Sequence, residues 1–355
     1  MCLLRRLALV LLFACGSAAV LGAEVPGKDW STVAPQDAGW SERDLAEASS
    51  YAGEIGSSAL LVVQHGKIVA ARGDVVRRIE LHSIRKSLLN ALIGIAVEAR
   101  QIDPSATLAE LGIDDNPPSL TAEEKGARVI DLLRARSGVY HPALYETPAM
   151  AAHRPPRGSH PPGTFWYYNN WDFNALGTIY ERAAHASIFA AFEQLIALPI
   201  GMQDYRPSDG RYVTGAASLL PAYPFHMSAR DLARFALLFL DGGRWGERQL
   251  VPAEWVRQST MPYSASDFGP GYGMLWWTGP LGLSHGNVMP LPPGSYFALG
   301  YKGQYAFVLP ALDMVVVNLV DSDAGKDEVT MAQMARLLWL VLHAAGSRDI
   351  PVSPP

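Results

Sequence analysis

The sequence predicts an α/β fold of the α+β kind: one antiparallel sheet built from both termini, flanked by helices, with an inserted mostly helical lobe. Three observations predict it. β-Branched, apolar segments occur near the start of the chain and again from residue 296. Between them runs a long stretch of helical periodicity broken by Pro- and Gly-rich loops. The chain also has 355 residues, 49% of them hydrophobic, which is ample for one large core. Only 18% are charged, with 32 glycines and 26 prolines, so the chain is folded and loop-rich rather than disordered or coiled-coil.

Residues 1–23, MCLLRRLALVLLFACGSAAVLGA, read as a secretory signal. Arg5 and Arg6 form a positive start, Leu7 to Phe13 an apolar run, and Ala23 a small residue at the cut. The run is short for a membrane-spanning helix, and Gly16 and Ser17 weaken it. A second option is a lipoprotein signal cut before Cys15, since Leu12-Phe13-Ala14-Cys15 resembles a lipobox with an atypical Phe. Membrane attachment follows only if Cys15 is lipidated. Both cysteines, Cys2 and Cys15, fall in this segment, so a chain cut after Ala23 carries no disulfide. The expected location is periplasmic or secreted, with residues 24–355 as one domain.

Residues 59–65, ALLVVQH, form an apolar strand, and Gly66-Lys67 a hairpin turn into IVAARGD. A helix is expected over 87–99, with Leu88, Leu89, Leu92, Ile95 and Ala96 at helical spacing. Residues 101–165 hold loops and short helical pieces such as VIDLLRA, and 171–198 turn helical again. The inserted lobe covers about residues 100–220. In SARDLARFALLFLDGG, Ser228 caps a helix that Gly242-Gly243 ends. From 296, YFALGYKGQYAFVLPALDMVVVNLVDS gives antiparallel strands with turns near Lys302-Gly303 and Pro310-Ala311. DEVTMAQMARLLWLVLHAAG is the last helix. Loops over 140–165 and 262–296 are expected to shape a cleft between sheet and lobe.

Several function classes are excluded early. Lys and Arg number 29 against 34 Asp and Glu, and no basic run occurs, so nucleic acid is not an expected partner. The nine histidines show no H-E-x-x-H and no ligand spacing, so no metal is expected. His141, His226 and His285 read as packing or loop residues. No phosphate-binding loop is present, and Lys302-Gly303-Gln304 is a turn. No cofactor is expected.

Two serine motifs compete. Gly282-Leu283-Ser284-His285-Gly286 is a formal G-x-S-x-G, but three prolines follow within nine residues, and the helix that motif requires cannot form. The other is Ser83-x-x-Lys86, at the start of a predicted helix. Of six lysines only Lys86 has a serine three residues before it. The spacing puts both side chains on one helix face. A helix N-terminus offers free N–H groups to a developing oxyanion. A lysine pressed among apolar neighbours has a lowered pKa and can take the serine proton. The alternative is a serine cap and a lysine that snorkels to solvent.

A second element shifts the balance. PPGTFWYYNNWDFNALG contains Tyr-x-Asn twice, as Tyr167-Tyr168-Asn169 and Tyr168-Asn169-Asn170. A phenol near a lysine ammonium loses its proton more easily and can pass it to a leaving group. An asparagine amide can orient lysine and substrate.

Together these segments resemble the serine β-lactamase and penicillin-binding superfamily, in the style of class C β-lactamases, related esterases and aminohexanoate-oligomer hydrolases. The resemblance runs over roughly residues 45–345. SALLVVQHGKIVAARGD is similar to the family's first hairpin, HSIRKS to its serine–lysine motif, and VIDLLRARSGVYHP to the segment with a leucine pair and Ser-Gly. PPGTFWYYNNWDFNALG is similar to its Pro-Gly to Leu-Gly run, in a register that selects Tyr168 and Asn170. MSARDLARFALLFLDGG resembles a later helix, and YFALGYKGQYAFVLPALDMVVV the active-site strand and its partner.

The resemblance implies a β-lactamase/transpeptidase-like fold and a set of roles. Ser83 attacks an ester or amide carbonyl, Lys86 and Tyr168 exchange its proton, and Asn170 positions the substrate. The N–H groups of Ser83 and Tyr301 form the oxyanion hole beside Gly300. Trp166, Trp276, Trp277 and Tyr305 are candidate cleft residues. One departure matters: the family's third motif, Lys or His, any residue, then Gly, is absent, and Ala298-Leu299-Gly300 stands there. The missing cation would hold a substrate carboxylate; Lys302 is the candidate stand-in. The implied activity is therefore a serine hydrolase for an ester or amide. A β-lactamase or D-alanyl peptidase is the alternative within the family. A catalytically silent cell-envelope binding protein is the alternative outside enzymes. The expected partner is a small-molecule ester, amide or lactam.

Overall fold

The computed structural model describes residues 25–266, 269–283 and 288–347. The leader expected over 1–23 and the loop residues Ser284, His285 and Gly286 lie outside the described residues.

The centre is an eight-stranded antiparallel sheet. Its strands are β1 (Ala59–Gln64), β2 (Lys67–Gly73), β3 (Ser264–Ala265), β4 (Gly271–Tyr272), β5 (Trp277–Thr278), β6 (Tyr296–Gly300), β7 (Gln304–Leu309) and β8 (Met314–Leu319). Their order is β2-β1-β8-β7-β6-β5-β4-β3. The two ends of the chain meet where β1 pairs with β8, Ala59 opposite Leu319 and Gln64 opposite Met314. Every residue of β7 and β8 is buried, which explains their near-continuous apolar sequence. The hairpin turns fall where expected. His65 and Gly66 both take positive φ, 49° and 74°, as do Lys302 and Gly303, at 65° and 97°. Such turns match the twist of the flanking strands.

One difference concerns residues 262–296, expected as loop. There β3, β4 and β5 extend the sheet beyond β6. Each has two residues, too short for any alternation to register.

Helices α1 (Glu42–Glu54) and α5 (Met331–Ala344) pack on each other, and α4 (Ala229–Leu240) lies across β8, β7 and β1. Ser228 caps α4 by accepting the Asp231 N–H. Helix α5 begins at Met331, later than the sequence reading placed it, because Thr330 and Gln333 form a capping box. The stretch after residue 100 contains the helix α3 (Asn170–Ala184), the short helices Val129–Leu133, Pro148–Ala152 and Ile188–Phe192, and a small ladder of Val213–Gly215 with Ser218–Ala222, which carries the lobe slightly past the expected 220. Helix α2 (Arg85–Glu98) contacts α3 and the short helices Ile188–Phe192 and Ala253–Ser259.

Candidate active site

The site is built on the entry to α2. Ile79–Glu80 pairs with His226–Met227, and a single 3-10 turn, His82–Ile84, leads into the helix. Ser83 thus sits in that turn, one step before the α-helix on which the spacing argument placed it. The turn requires His82 to adopt a left-handed backbone, φ 48°, uncommon for a residue with a Cβ.

Helix α2 is buried on nearly every side, as its all-round apolar sequence demands. Its polar members are tied down. The Ser87 hydroxyl donates to the Leu275 carbonyl at 2.8 Å, and the Asn90 amide to Met274 O and Ser259 Oγ, both at 2.9 Å. Two glycines allow backbones to touch. A Cβ on Gly94 would lie 2.3 Å from the Trp255 ring, and one on Gly300 would lie 2.3 Å from the Leu81 carbonyl oxygen. Strand β6 is therefore pressed against the turn that carries Ser83.

Lys86 Nζ lies 2.6 Å from Ser83 Oγ and 2.8 Å from Tyr168 OH. The capping alternative does not describe this turn: Ser83 makes no cap bond, and Lys86 is 2% exposed, not snorkelling. The ammonium position is enclosed by the rings of Tyr168 and Phe173, at 4.5 and 4.8 Å. Burial, with Arg85 adding to it, holds Lys86 well below the usual lysine range. Burial also pushes the Tyr168 phenol up, to about 12. The expectation of an easily deprotonated Tyr168 is thus corrected. For Tyr168, desolvation outweighs the opposing Ser83 hydrogen bond and the Arg85 charge, so burial moves the lysine down and the phenol up.

Tyr168 stacks on Trp277 at 5.3 Å, just before α3. The register favouring Tyr168 over Tyr167 matches the geometry, since the Tyr167 hydroxyl donates instead to the Met150 carbonyl. Asn169 caps α3 by accepting the Trp171 N–H. Asn170 Nδ2 donates to the Tyr145 carbonyl at 2.8 Å, and no bond joins it to Lys86 among the described residues. Its Oδ1 is buried without a partner.

Ser83 opens onto a cleft of about 930 Å³, walled by Tyr145, Met150, Phe165, Trp166, Trp277, Leu299 and Tyr305. Tyr168, Asn170, Gly300, Tyr301 and Lys302 also line it. Trp166 meets Trp277 edge to face at 6.1 Å. Trp276, in contrast, is a core residue. It immediately precedes β5 and is fully buried against Phe235 and Phe239 of α4. Tyr301 is 51% exposed at the mouth. Ala298, in the place of the third-motif cation, is buried.

Sequence reasoning missed a polar network beside the nucleophile. His82 Nδ1 lies 3.0 Å from Tyr145 OH and its Nε2 2.9 Å from Ser322 Oγ. The Tyr145 hydroxyl donates to Glu80. Burial lowers the His82 pKa against the opposing pull of Glu80. Burial works against ionised Glu80, yet the Tyr145 hydrogen bond and nearby cations keep it below the usual carboxylate range. His82 and Arg85 were visible as polar residues within HSIRKS; nothing in the sequence marked Tyr145. Glu80, His226 and Asp323 also bring ligand-type atoms within 4.8 Å of one another, a grouping that sequence spacing could not show. Glu80 is engaged there by Tyr145 and Arg211, and His226 by the Asp209 carbonyl and Asp323.

Comparison with known proteins gives the following. The family model Beta-lactamase matches residues 42–338. An uncharacterized protein of Alkalihalophilus pseudofirmus is 26% identical over 121 residues, 33% of this chain and 36% of that protein, so the match spans about a third of either. A protein from Bacillus anthracis assigned as a 6-aminohexanoate-dimer hydrolase aligns in structure with a TM-score of 0.64 at 18% identity, over 91% of this chain and 89% of that one. A penicillin-binding protein homologue from Caulobacter crescentus aligns at 0.62 and 15%, over 85% and 97%. A β-lactamase from Mycobacterium bovis aligns at 0.59 and 20%, over 84% and 99%. At such identities these likenesses show a shared fold.

Proposed function

The chain belongs to the β-lactamase family, and from that premise we propose that it is a serine hydrolase that cleaves a neutral ester or amide through an acyl-enzyme on Ser83. The observation that carries the reading is the contact of Lys86 Nζ with both Ser83 Oγ and Tyr168 OH, at 2.6 and 2.8 Å.

The chemistry builds on the burial that lowers the Lys86 pKa. The free amine of Lys86 accepts the Ser83 proton as Oγ bonds to the substrate carbonyl carbon. Negative charge on the former carbonyl oxygen is met by the N–H groups of Ser83 and Tyr301. Tyr168 hands its proton to the departing alkoxide or amine and recovers one from Lys86. Water then enters, the same groups run in reverse, and the acid is released. Asn170 Oδ1, buried and unpartnered, is available to a substrate N–H.

The cleft supports the substrate class. Its walls are mainly aromatic and aliphatic, and Ala298 supplies no cation at the place where the family resemblance implies one for a substrate carboxylate. A neutral acyl or alcohol group therefore fits better than a charged one. Export is part of the proposal, with cleavage after Ala23; N-terminal sequencing of secreted protein decides between Ala23 and Cys15.

Ser83→Ala should abolish both hydrolysis of a p-nitrophenyl ester and labelling by a serine-reactive fluorophosphonate. Persistence of either in a folded variant would sink the assignment. Nitrocefin turnover as fast as that of a good ester would make the β-lactamase reading the better one.

A further inference from the structure

Arg85 is an unusual residue for the centre of a protein. It lies inside the serine–lysine motif, is 0% exposed, and starts a helix that is mostly apolar and buried on nearly every side. Its Nη2 donates to Asn174 Oδ1 at 3.0 Å. Its Nε and Nη1 are buried without any hydrogen-bond partner. The guanidinium lies 4.3 Å from the Tyr223 ring centre and 5.6 Å from that of Tyr145. No carboxylate forms an ion pair with it among the described residues. An arginine cannot escape this cost by shedding its proton. Burying an unpaired cation is expensive, and an apolar residue would be cheaper here.

We propose that Arg85 is retained as an uncompensated fixed charge that keeps its neighbour Lys86 in the free-amine form that attack by Ser83 requires. It acts through Lys86 and touches no reacting atom, so it is a positioning residue in the electrostatic sense. The inference rests on Ser83 being the nucleophile.

The surroundings leave the charge unanswered. Lys86 is faced by Ser83, Tyr168 and Phe173, none of them anionic at rest. Arg85 is faced by Asn174, Tyr223 and Tyr145. The carboxylate reached through Tyr145 is Glu80, already engaged by that hydroxyl and by Arg211. Asp172 on α3 is bonded to Ser137 and Asn169, and burial pushes its carboxyl well up toward the neutral form. A like charge next to a buried lysine favours loss of the lysine proton.

The test is the pH profile of kcat/KM for p-nitrophenyl butyrate, whose acid limb reports the protonation of Lys86. Arg85→Met removes the charge. Asn174→Asp leaves the guanidinium in place and gives it a carboxylate partner. In both, the acid limb should move to higher pH, by about one unit for Arg85→Met. An unmoved limb in folded Arg85→Met, checked by circular dichroism, overturns the proposal. If that variant does not fold, an unmoved limb in the near-isosteric Asn174→Asp overturns it. Failure of the parent reading looks different: hydrolysis would then survive Ser83→Ala, whatever the Arg85 variants do.

Discussion

Gly300→Ala offers the sharpest test of how the fold holds the nucleophile. Gly300 has no positive φ, so alanine is compatible with its backbone and only the neighbours object. An added Cβ would lie 2.3 Å from the Leu81 carbonyl oxygen and 2.8 Å from Gln304 Cβ. Both are inside ordinary van der Waals contact, about 3.5 Å. Leu81 is held from its other side by donating its N–H to Phe225 O at 2.8 Å, and Gln304 is fully buried. Strand and turn must therefore part by about 1 Å, and a shift of that size at a reacting group costs on the order of 10²-fold in rate. Overpacking of this kind costs about 1–3 kcal/mol of stability. Gly126→Ala is the control, because its Cβ would meet nothing within 4 Å. The assays are ester hydrolysis and thermal unfolding on both variants. Gly300→Ala should lose about 10²-fold in kcat/KM and a few degrees in Tm, against little change in the control. Wild-type kinetics and Tm in Gly300→Ala would refute the claim that β6 is clamped against the Ser83 turn.

Other expectations can be checked on the same preparations. Lys86→Met should lose at least about 10²-fold in kcat. It should also be more stable than wild type, by a margin that is fully present below the depressed folded pKa of Lys86 and shrinks as pH rises toward the unfolded value, because the unfolded lysine binds a proton that the folded one lacks. Denaturant melts across pH check the sign, and a margin that grows with pH contradicts it. Tyr168→Phe keeps the ring stacked on Trp277 but removes the hydroxyl 2.8 Å from Lys86; kcat should fall by about 10²–10⁴-fold with the fold intact. Trp276→Ala should cost about 3–5 kcal/mol as a core deletion, whereas Trp277→Ala should act mainly on KM and on acyl preference, measured over esters of increasing chain length. A p-nitrophenyl hemisuccinate should react more slowly than the butyrate. If instead the two match and Lys302→Met selectively slows the hemisuccinate, Lys302 replaces the missing cation.

The fold was legible where the sequence repeats a pattern long enough to read. β1, β7, β8 and α4 all follow from runs of apolar residues bounded by turn or cap residues. β3 to β5 were not legible, because two-residue strands owe their pairing to neighbours rather than to their own composition. In the site, Ser83 and Lys86 stood out through spacing, and Tyr168 and Asn170 through a motif. What lay beyond reach was their electrostatics. The burial that lowers the Lys86 pKa comes from Phe173 and from the all-round packing of α2, and no local window shows it. Trp276 and Trp277 were indistinguishable as letters. The chain's course into β5 puts Trp276 into the core with Phe235 and Phe239 and leaves Trp277 against Tyr168.

The same cause underlies the reactivity of the centre and its cost. A lysine in water near pH 7 is charged and useless as a base toward serine. Making it useful requires desolvation, and desolvation requires a helix start sealed on all sides. Gly300 and Gly94 make that seal possible by letting backbone and ring come closer than any side chain allows. The buried, unpaired Arg85 adds to the bias, at a further cost in stability. The rest of the fold must offset both, and the eight-stranded sheet with its wholly buried β7 and β8 is the part large enough to do so. On this view the substitutions that most stabilise the chain should cluster at Arg85 and Lys86, where stability and chemistry pull in opposite directions.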